Sequence, residues 1–252
     1  MTTIYAVANQ KGGVGKTTTA INLAAALAAL DRRVLLVDCD PQGNATRGLG
    51  AQASPPHLYH VLTGDVAAAA AIRPSGFPNL DLLPAERDLV GVEVEFVGLA
   101  GWERRLEERL APAVGGYEVV FLDCPPSLGH LTVLALVAAD SVLVPLQCEY
   151  FALEGLSELV ATVGRIADAL NAGLGIDGIL LTMYDDRMKL TRDVEAEVRA
   201  HFGDAVFRTV VPRNVRLAEA PSHGRPILQY DIKSRGAEAY LALARELAGR
   251  ER

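Results

Sequence analysis

The sequence predicts an α/β fold, a mostly parallel twisted sheet with helices on both faces. Three observations lead there. Apolar runs of four to six residues alternate with longer stretches of helical periodicity, which is how a parallel sheet with crossover helices reads. The first run, Ile4–Ala8, leads directly into the glycine-rich segment Lys11-Gly-Gly-Val-Gly-Lys-Thr-Thr18 and then into a helix-forming stretch. Half of the 252 residues are hydrophobic, enough for one large core, and α/β folds of this size commonly form one domain, so residues 1–252 are read as a single domain.

In chain order, strands are expected at Ile4–Ala8, Val34–Val37, Leu80–Leu83, Val119–Leu122, Ser141–Val144, Gly178–Thr182 and Val206–Val210. Helices are expected at Thr17–Leu30, Trp102–Ala113, Leu131–Ala138, Leu153–Ala169, Thr191–Phe202 and Gly236–Ala248. The least regular stretch, Ala51–Pro78, has prolines at 55, 56, 74 and 78 and an alanine run at 67–71. It reads as a surface excursion, not a separate domain. The alanines favour helix and carry no chemistry. There is no internal repeat.

Bulk properties exclude several classes. The longest apolar stretches are strand-length and far short of a membrane span. Met1-Thr2-Thr3 runs into the first strand and leaves no room for a secretory leader, so the expectation is a soluble, cytoplasmic chain. Cys39, Cys124 and Cys148 are an odd number without C-x-x-C spacing, which points to buried thiols and not to a metal or disulfide framework. A formal charge of −7 argues against nucleic acid on every face and leaves room for a local basic patch.

Strand, glycine-rich turn and helix in that order make a phosphate cradle. Glycines let successive backbone N–H groups turn toward an anion, the helix N-terminus adds its dipole, Lys16 supplies a full charge, and the Thr17 hydroxyl suits magnesium. The pattern G-x-x-x-x-G-K-[ST] is met except at its first glycine, where Gln10 stands, followed by a second lysine, Lys11. A single-domain P-loop NTPase is the expectation, with Gly12, Gly13, Val14, Gly15, Lys16, Thr17 and Thr18 around the phosphates.

Carboxylates complete the site. The second strand runs into Asp38-Cys-Asp40-Pro-Gln-Gly-Asn44, and the ends of parallel strands converge on a shared crevice. Alternation lets Asp38 and Asp40 face one side. The run Val119–Leu122 ends at Asp123, a Walker B pattern in which Asp123 would hold magnesium through water. Asp40 is the choice for orienting a water against the γ-phosphate, with Glu149 as the alternative acid.

Taken together, Asn9–Asn22, Val37–Thr46, Asp123–Leu128, Gln147–Gly155, Pro212–Gly224 and Ser234–Tyr240 resemble the ParA/Soj family of chromosome- and plasmid-partitioning ATPases, within the deviant Walker A superfamily that also contains MinD. The resemblance spans essentially the whole chain. It implies ATP and Mg2+ as ligands and weak Mg-dependent ATP hydrolysis. It also implies that Lys11 reaches a partner's nucleotide, that Asp40 is the hydrolytic aspartate, and that Pro212 and Asn214 contact the adenine side. Such proteins form a homodimer around two ATP molecules, bind double-stranded DNA without sequence preference, and release it on hydrolysis stimulated by a ParB-type centromere-binding protein. Nucleoid association would follow. The N-terminal helix-turn-helix extension of some plasmid relatives is absent from this sequence, which puts operator binding in doubt.

Between Arg187 and Arg235, ten Lys/Arg face six Asp/Glu, against the acidic balance of the whole. If those cations gather on one face they can hold duplex DNA through phosphates alone, salt-sensitively and without reading sequence. Arg187 and Arg216 match positions that resemble the family's DNA-contacting arginines. A solvated, ion-paired helix face is the competing account of the same charges. Other functions on this scaffold are a MinD-like membrane-positioning ATPase, disfavoured by an alanine- and leucine-rich C-terminal helix without bulky anchors or a basic stripe, and an ATP-dependent ligase or amidotransferase-type synthetase, for which no second-substrate groups stand out.

Overall fold

The computed structural model describes residues 2–52 and 54–250. Seven strands, β1 (Thr3–Val7), β2 (Val34–Asp38), β3 (Arg73–Pro74), β4 (Leu80–Leu83), β5 (Val119–Asp123), β6 (Ser141–Gln147) and β7 (Gly175–Thr182), form one sheet in the order β3-β4-β2-β5-β1-β6-β7. Every pairing is parallel except β3 with β4. β2 and β5 are buried along their whole length, which is why they read as unbroken apolar runs.

The long helices are α1 (Lys16–Ala28), α2 (Arg105–Val114), α3 (His130–Ala138), α4 (Ala152–Ala169), α5 (Lys189–Phe202) and α6 (Arg235–Arg250). On one face, Leu23 and Leu27 of α1 and Tyr240, Leu243 and Leu247 of α6 share a core with Leu36 and Phe121. On the other, Leu106, Leu134, Leu159 and Val198, one from each of α2 to α5, share a core with Leu35, Leu122 and Val144. Both faces of the sheet are therefore covered, as expected. Among the described residues no helix is long and apolar enough to cross a membrane.

Register decides where chemistry collects. Asp123 lies opposite Val7 on one side and Asp38 on the other, so the carboxyl ends of β1, β2 and β5 finish side by side. The glycine-rich turn leaves β1 at this edge.

Two expectations need correction. Val206–Val210 is not a strand. Its chain runs beside β7 through Phe207 N to Ile179 O and Val211 N to Leu181 O, both 2.9 Å, but the intervening Arg208 and Thr209 N–H groups donate to the Glu246 carboxylate at 2.7 and 2.9 Å. The ladder is diverted to a side chain, and a single bridge from Val206 to Ile179 remains in this part. The Phe207 ring lies so close to Gly178 that a Cβ there would stand 2.2 Å from it. Nor is Ala51–Pro78 merely a surface excursion. It holds the two-residue β3 and the short helices Leu58–Thr63 and Ala68–Ala71, whose Leu58, Val61, Leu62, Ala68 and Ala71 are buried in the core. The Arg73 guanidinium gathers the carbonyls of Gln52, Ser54 and Pro56, which orders the proline-rich bend.

Candidate functional site

Gly13 and Gly15 take φ of +75° and +90°, a region that side chains strain to enter, and this is what bends the chain from β1 into α1 within a few residues. The turn is tied down from three sides. The Asn9 amide donates to Pro145 O at 2.7 Å, its oxygen accepts from Lys11 N at 3.0 Å, and the Thr182 hydroxyl donates to Val14 O at 2.8 Å. Lys16, 7% exposed, folds back so that its ammonium donates to Lys11 O at 3.1 Å. Burial lowers its pKa, opposed by the charges of Asp123, Cys124 and Asp40.

The carboxylates converge from two neighbouring strands. Asp38 Oδ1 accepts from Asp40 N at 3.2 Å, and Oδ2 accepts from the Thr46 amide at 2.8 Å and the Thr46 hydroxyl at 2.7 Å. Thr46 Oγ1 in turn accepts from Ala85 N at 3.0 Å, linking the ends of β2 and β4. Complete burial raises Asp38 to about 6 in spite of those bonds. Asp40 shapes its own turn, accepting Gln42 N at 2.9 Å, and lines the cleft with Lys16, Thr17, Thr18, Gln42 and Asn44. That cleft measures about 400 Å3.

Asp123 is fully buried, and no backbone N–H donates to either carboxylate oxygen. Burial and the neighbouring Asp38 push its pKa well above the usual range, while Thr17 and Lys16 oppose that shift. Buried carboxylate oxygens with no partner but the neighbouring Thr17 hydroxyl are hard donors, and they fit magnesium.

A second, apolar cavity of about 330 Å3 adjoins the loop, lined by Gly13, Gly15, Met183, Pro212, Asn214 and Tyr240 among others. Pro212 and Asn214 thus stand where a flat base could lie, although the Asn214 oxygen is already used as a helix cap, accepting Arg216 N at 2.8 Å. Sequence reasoning missed three contributors. Thr46 anchors Asp38, Thr182 holds the loop, and Met183, at φ +48°, lines the apolar cavity. An unusual backbone angle leaves no trace in a residue string, whereas Thr46, eight residues after Asp38, was within the quoted motif.

The remaining expected residues lie outside the cleft. Lys11 forms an ion pair with Glu149, both side chains somewhat under half exposed. Arg187 grips Asp185 with Nε and Nη2 at 2.8 and 2.6 Å. Arg216 pairs with Glu219 at 2.9 Å and Asp231 at 3.5 Å. All three cysteines are buried and free. The larger cleft of about 850 Å3 at the amino end of β7, between Arg199, Arg208 and Glu246, is at the opposite end of the sheet and shares nothing with this chemistry.

A parallel sheet with a glycine-rich loop at the end of its first strand, a buried lysine and an acid closing the adjacent strand define a P-loop nucleotide-binding fold. A family described as "AAA domain" matches residues 2–176. The chromosome-partitioning ATPase Soj of Thermus thermophilus is 56% identical over 245 residues, covering 97% of this chain and 95% of that protein. The chromosome partitioning protein ParA of Caulobacter vibrioides is 54% identical over 253 residues, covering 99% and 95%. A solved structure of cobyrinic acid a,c-diamide synthase from Mycobacterium smegmatis, with bound ADP and magnesium, matches with a TM-score of 0.86 at 41% identity, covering 98% of this chain and 94% of that one. The chain belongs to the ParA/Soj family of partitioning ATPases.

Proposed function

We propose that this chain is an ATP-driven DNA-partitioning switch. ATP with Mg2+ fills the cradle, two chains close on two nucleotides, the dimer holds DNA through phosphates, and hydrolysis stimulated by a ParB-type centromere-binding protein ends that state. The carrying observation is the contrast between two lysines on one loop. Lys16 is buried within the charge of Asp40 and Asp123, and Lys11 leans out of the cleft onto Glu149.

In the chemistry, Lys16 and the loop N–H groups neutralise the phosphates, and Gly13 and Gly15 let the backbone approach closely. Asp40, one of whose oxygens accepts from Gln42 N, orients water toward the terminal phosphate in this reading. Thr17 and Asp123 would hold magnesium, which when bound neutralises charge on the phosphate oxygens. Lys11 exchanges Glu149 for the partner's nucleotide. Arg187 and Arg216 exchange carboxylates for DNA phosphates, and such exposed pairs cost little to open.

A membrane-positioning role is less well supported. Ala237, Tyr240, Leu243, Ala244 and Leu247 of α6 are buried in the core shared with α1 and are not offered to a lipid surface. Although structures at 39–41% identity are named as a diamide synthase, relatives at 54–56% identity bear chromosome-partitioning names. The deciding experiment measures duplex DNA binding with ATP, ADP and a slowly hydrolysed ATP analogue at two salt concentrations. Retention confined to the ATP-like states and falling steeply with salt is expected. Equal binding in every state would refute the switch.

A further inference from the structure

Beside the phosphate cleft lies a further cavity of about 450 Å3, and Thr17, Thr18 and Asn44 line both. From that shared wall it extends between Ile21 of α1, the short helix Asn44–Gly48 and the segment Pro221–Ser222.

Charge selects what this space accepts. Among the described residues no acidic side chain lines it, and Arg47 is its one charged group. Arg47 is exposed, and its side chain donates from Nη2 to the neutral Asn44 Oδ1 at 3.0 Å. Arg187 and Arg216 are held by carboxylates, whereas Arg47 has no carboxylate partner among the described residues. A guanidinium carries its donors in a planar fork. One bond to Asn44 leaves most of them for an anion, and phosphate is an anion that the fork matches.

The cleft next door is charged the other way. Lys16 is buried there against Asp40 and Asp123, and Asp38 acts on Asp123 from behind. A phosphate cut from its nucleotide faces those carboxylates on one side, and on the other the unpaired Arg47 draws it away.

We infer that Arg47 is a phosphate-binding residue: the inorganic phosphate released from ATP moves along Thr17, Thr18 and Asn44 into the neighbouring cavity, where the Arg47 guanidinium holds it before it reaches water. The inference rests on the hydrolysis reading above for the origin of that phosphate. In the same reading two chains closed on two nucleotides cover the mouth of the cleft, and the side cavity gives the product another exit. Hydrolysis makes and breaks its bonds at the nucleotide, and Arg47 takes only the product.

The test titrates inorganic phosphate against the full chain saturated with ADP and Mg2+, with phosphorus NMR reading the affinity. Arg47→Ala should weaken phosphate binding about tenfold or more, while affinity for a slowly hydrolysed ATP analogue changes by less than about threefold. Arg47→Lys keeps the charge and should recover most of the loss, which separates the role of charge from an effect on packing or folding. In steady-state turnover, the phosphate concentration that halves the rate should rise in Arg47→Ala by the same factor as the loss of affinity. Phosphate affinity equal in wild type and Arg47→Ala, or absent in wild type, overturns the proposal. So does an equal loss for the ATP analogue, which would put Arg47 on the nucleotide. A loss confined to duplex DNA overturns it too, by assigning the guanidinium to DNA phosphates. Absence of ATP hydrolysis in the wild-type chain sinks the hydrolysis reading alone, and the phosphate titration, which needs neither turnover nor a partner, still decides the Arg47 site.

Discussion

Lys16 and Lys11 belong to one loop, yet Lys16 is buried within the charge of Asp40 and Asp123, and Lys11 rests outside on a half-exposed Glu149. The same division runs through the whole site. In the interior, Asp38, Asp40 and Asp123 are at most 5% exposed, and Asp38 and Asp40 are set by backbone N–H groups. At the rim, Lys11, Arg187 and Arg216 are solvated and paired to carboxylates of their own chain. The interior is fixed by folding before any ligand arrives, and the rim holds its charges in contacts that water already weakens. The first suits the proposed chemistry, and the second suits the proposed exchange of partners.

The hardest blow to this division is Lys16→Ala. Removing the buried cation should cost nucleotide binding about 3–5 kcal/mol, about a hundredfold or more in affinity. Titration with a fluorescent ATP analogue measures it, and affinity within about threefold of wild type would dissolve the distinction between the lysines. Next in size, Asp40→Ala should slow ATP hydrolysis about 100-fold or more with nucleotide affinity nearly unchanged. Single-turnover kinetics reads both quantities, and normal turnover removes Asp40 from the chemistry. Lys11→Ala tests the rim. The single chain should bind ATP as before while the ATP-dependent dimer is lost in sedimentation, and a normal dimer would leave Lys11 without its role. Arg216→Ala should weaken DNA binding several-fold and lower the slope of log affinity against log salt by about 1. An unaltered slope would return Arg216 to an ordinary ion pair.

The smallest effect concerns pH. Asp38 titrates near 6 when folded, above its unfolded value, so between about pH 4 and 6 the folded state binds more protons and the Asp38 contribution to stability falls as pH rises. Asp38→Asn should flatten the urea midpoint over that window relative to wild type. An unchanged pH slope would mean that Asp38 is ionised throughout and that its hydrogen bonds outweigh its burial.

Strand-length apolar runs made most of the fold legible, because β2 and β5 are buried on both faces and have no polar alternation to confuse them. The phosphate loop was legible for a related reason. Its glycines and lysine act locally, within one strand-turn-helix unit. What the sequence concealed depends on distant partners. Glu246 removes the N–H groups of Arg208 and Thr209 from a strand ladder, a contact spanning 38 and 37 residues. Arg73 turns the proline-rich bend into ordered structure by collecting carbonyls about 20 residues away. The Lys11 to Glu149 pair likewise joins two motifs that were each visible, and their meeting was not.

Neither margin of the sheet presents a long open ladder. On one side stands the two-residue β3, with Pro74 supplying no N–H. On the other, the chain from Val206 to Arg213 runs along β7 with its spare donors taken by Glu246. Backbone-to-backbone addition of further chains is discouraged at both margins. Side-chain contacts, and not strand addition at the sheet margins, are thereby left as the route by which crowded copies of the chain could associate.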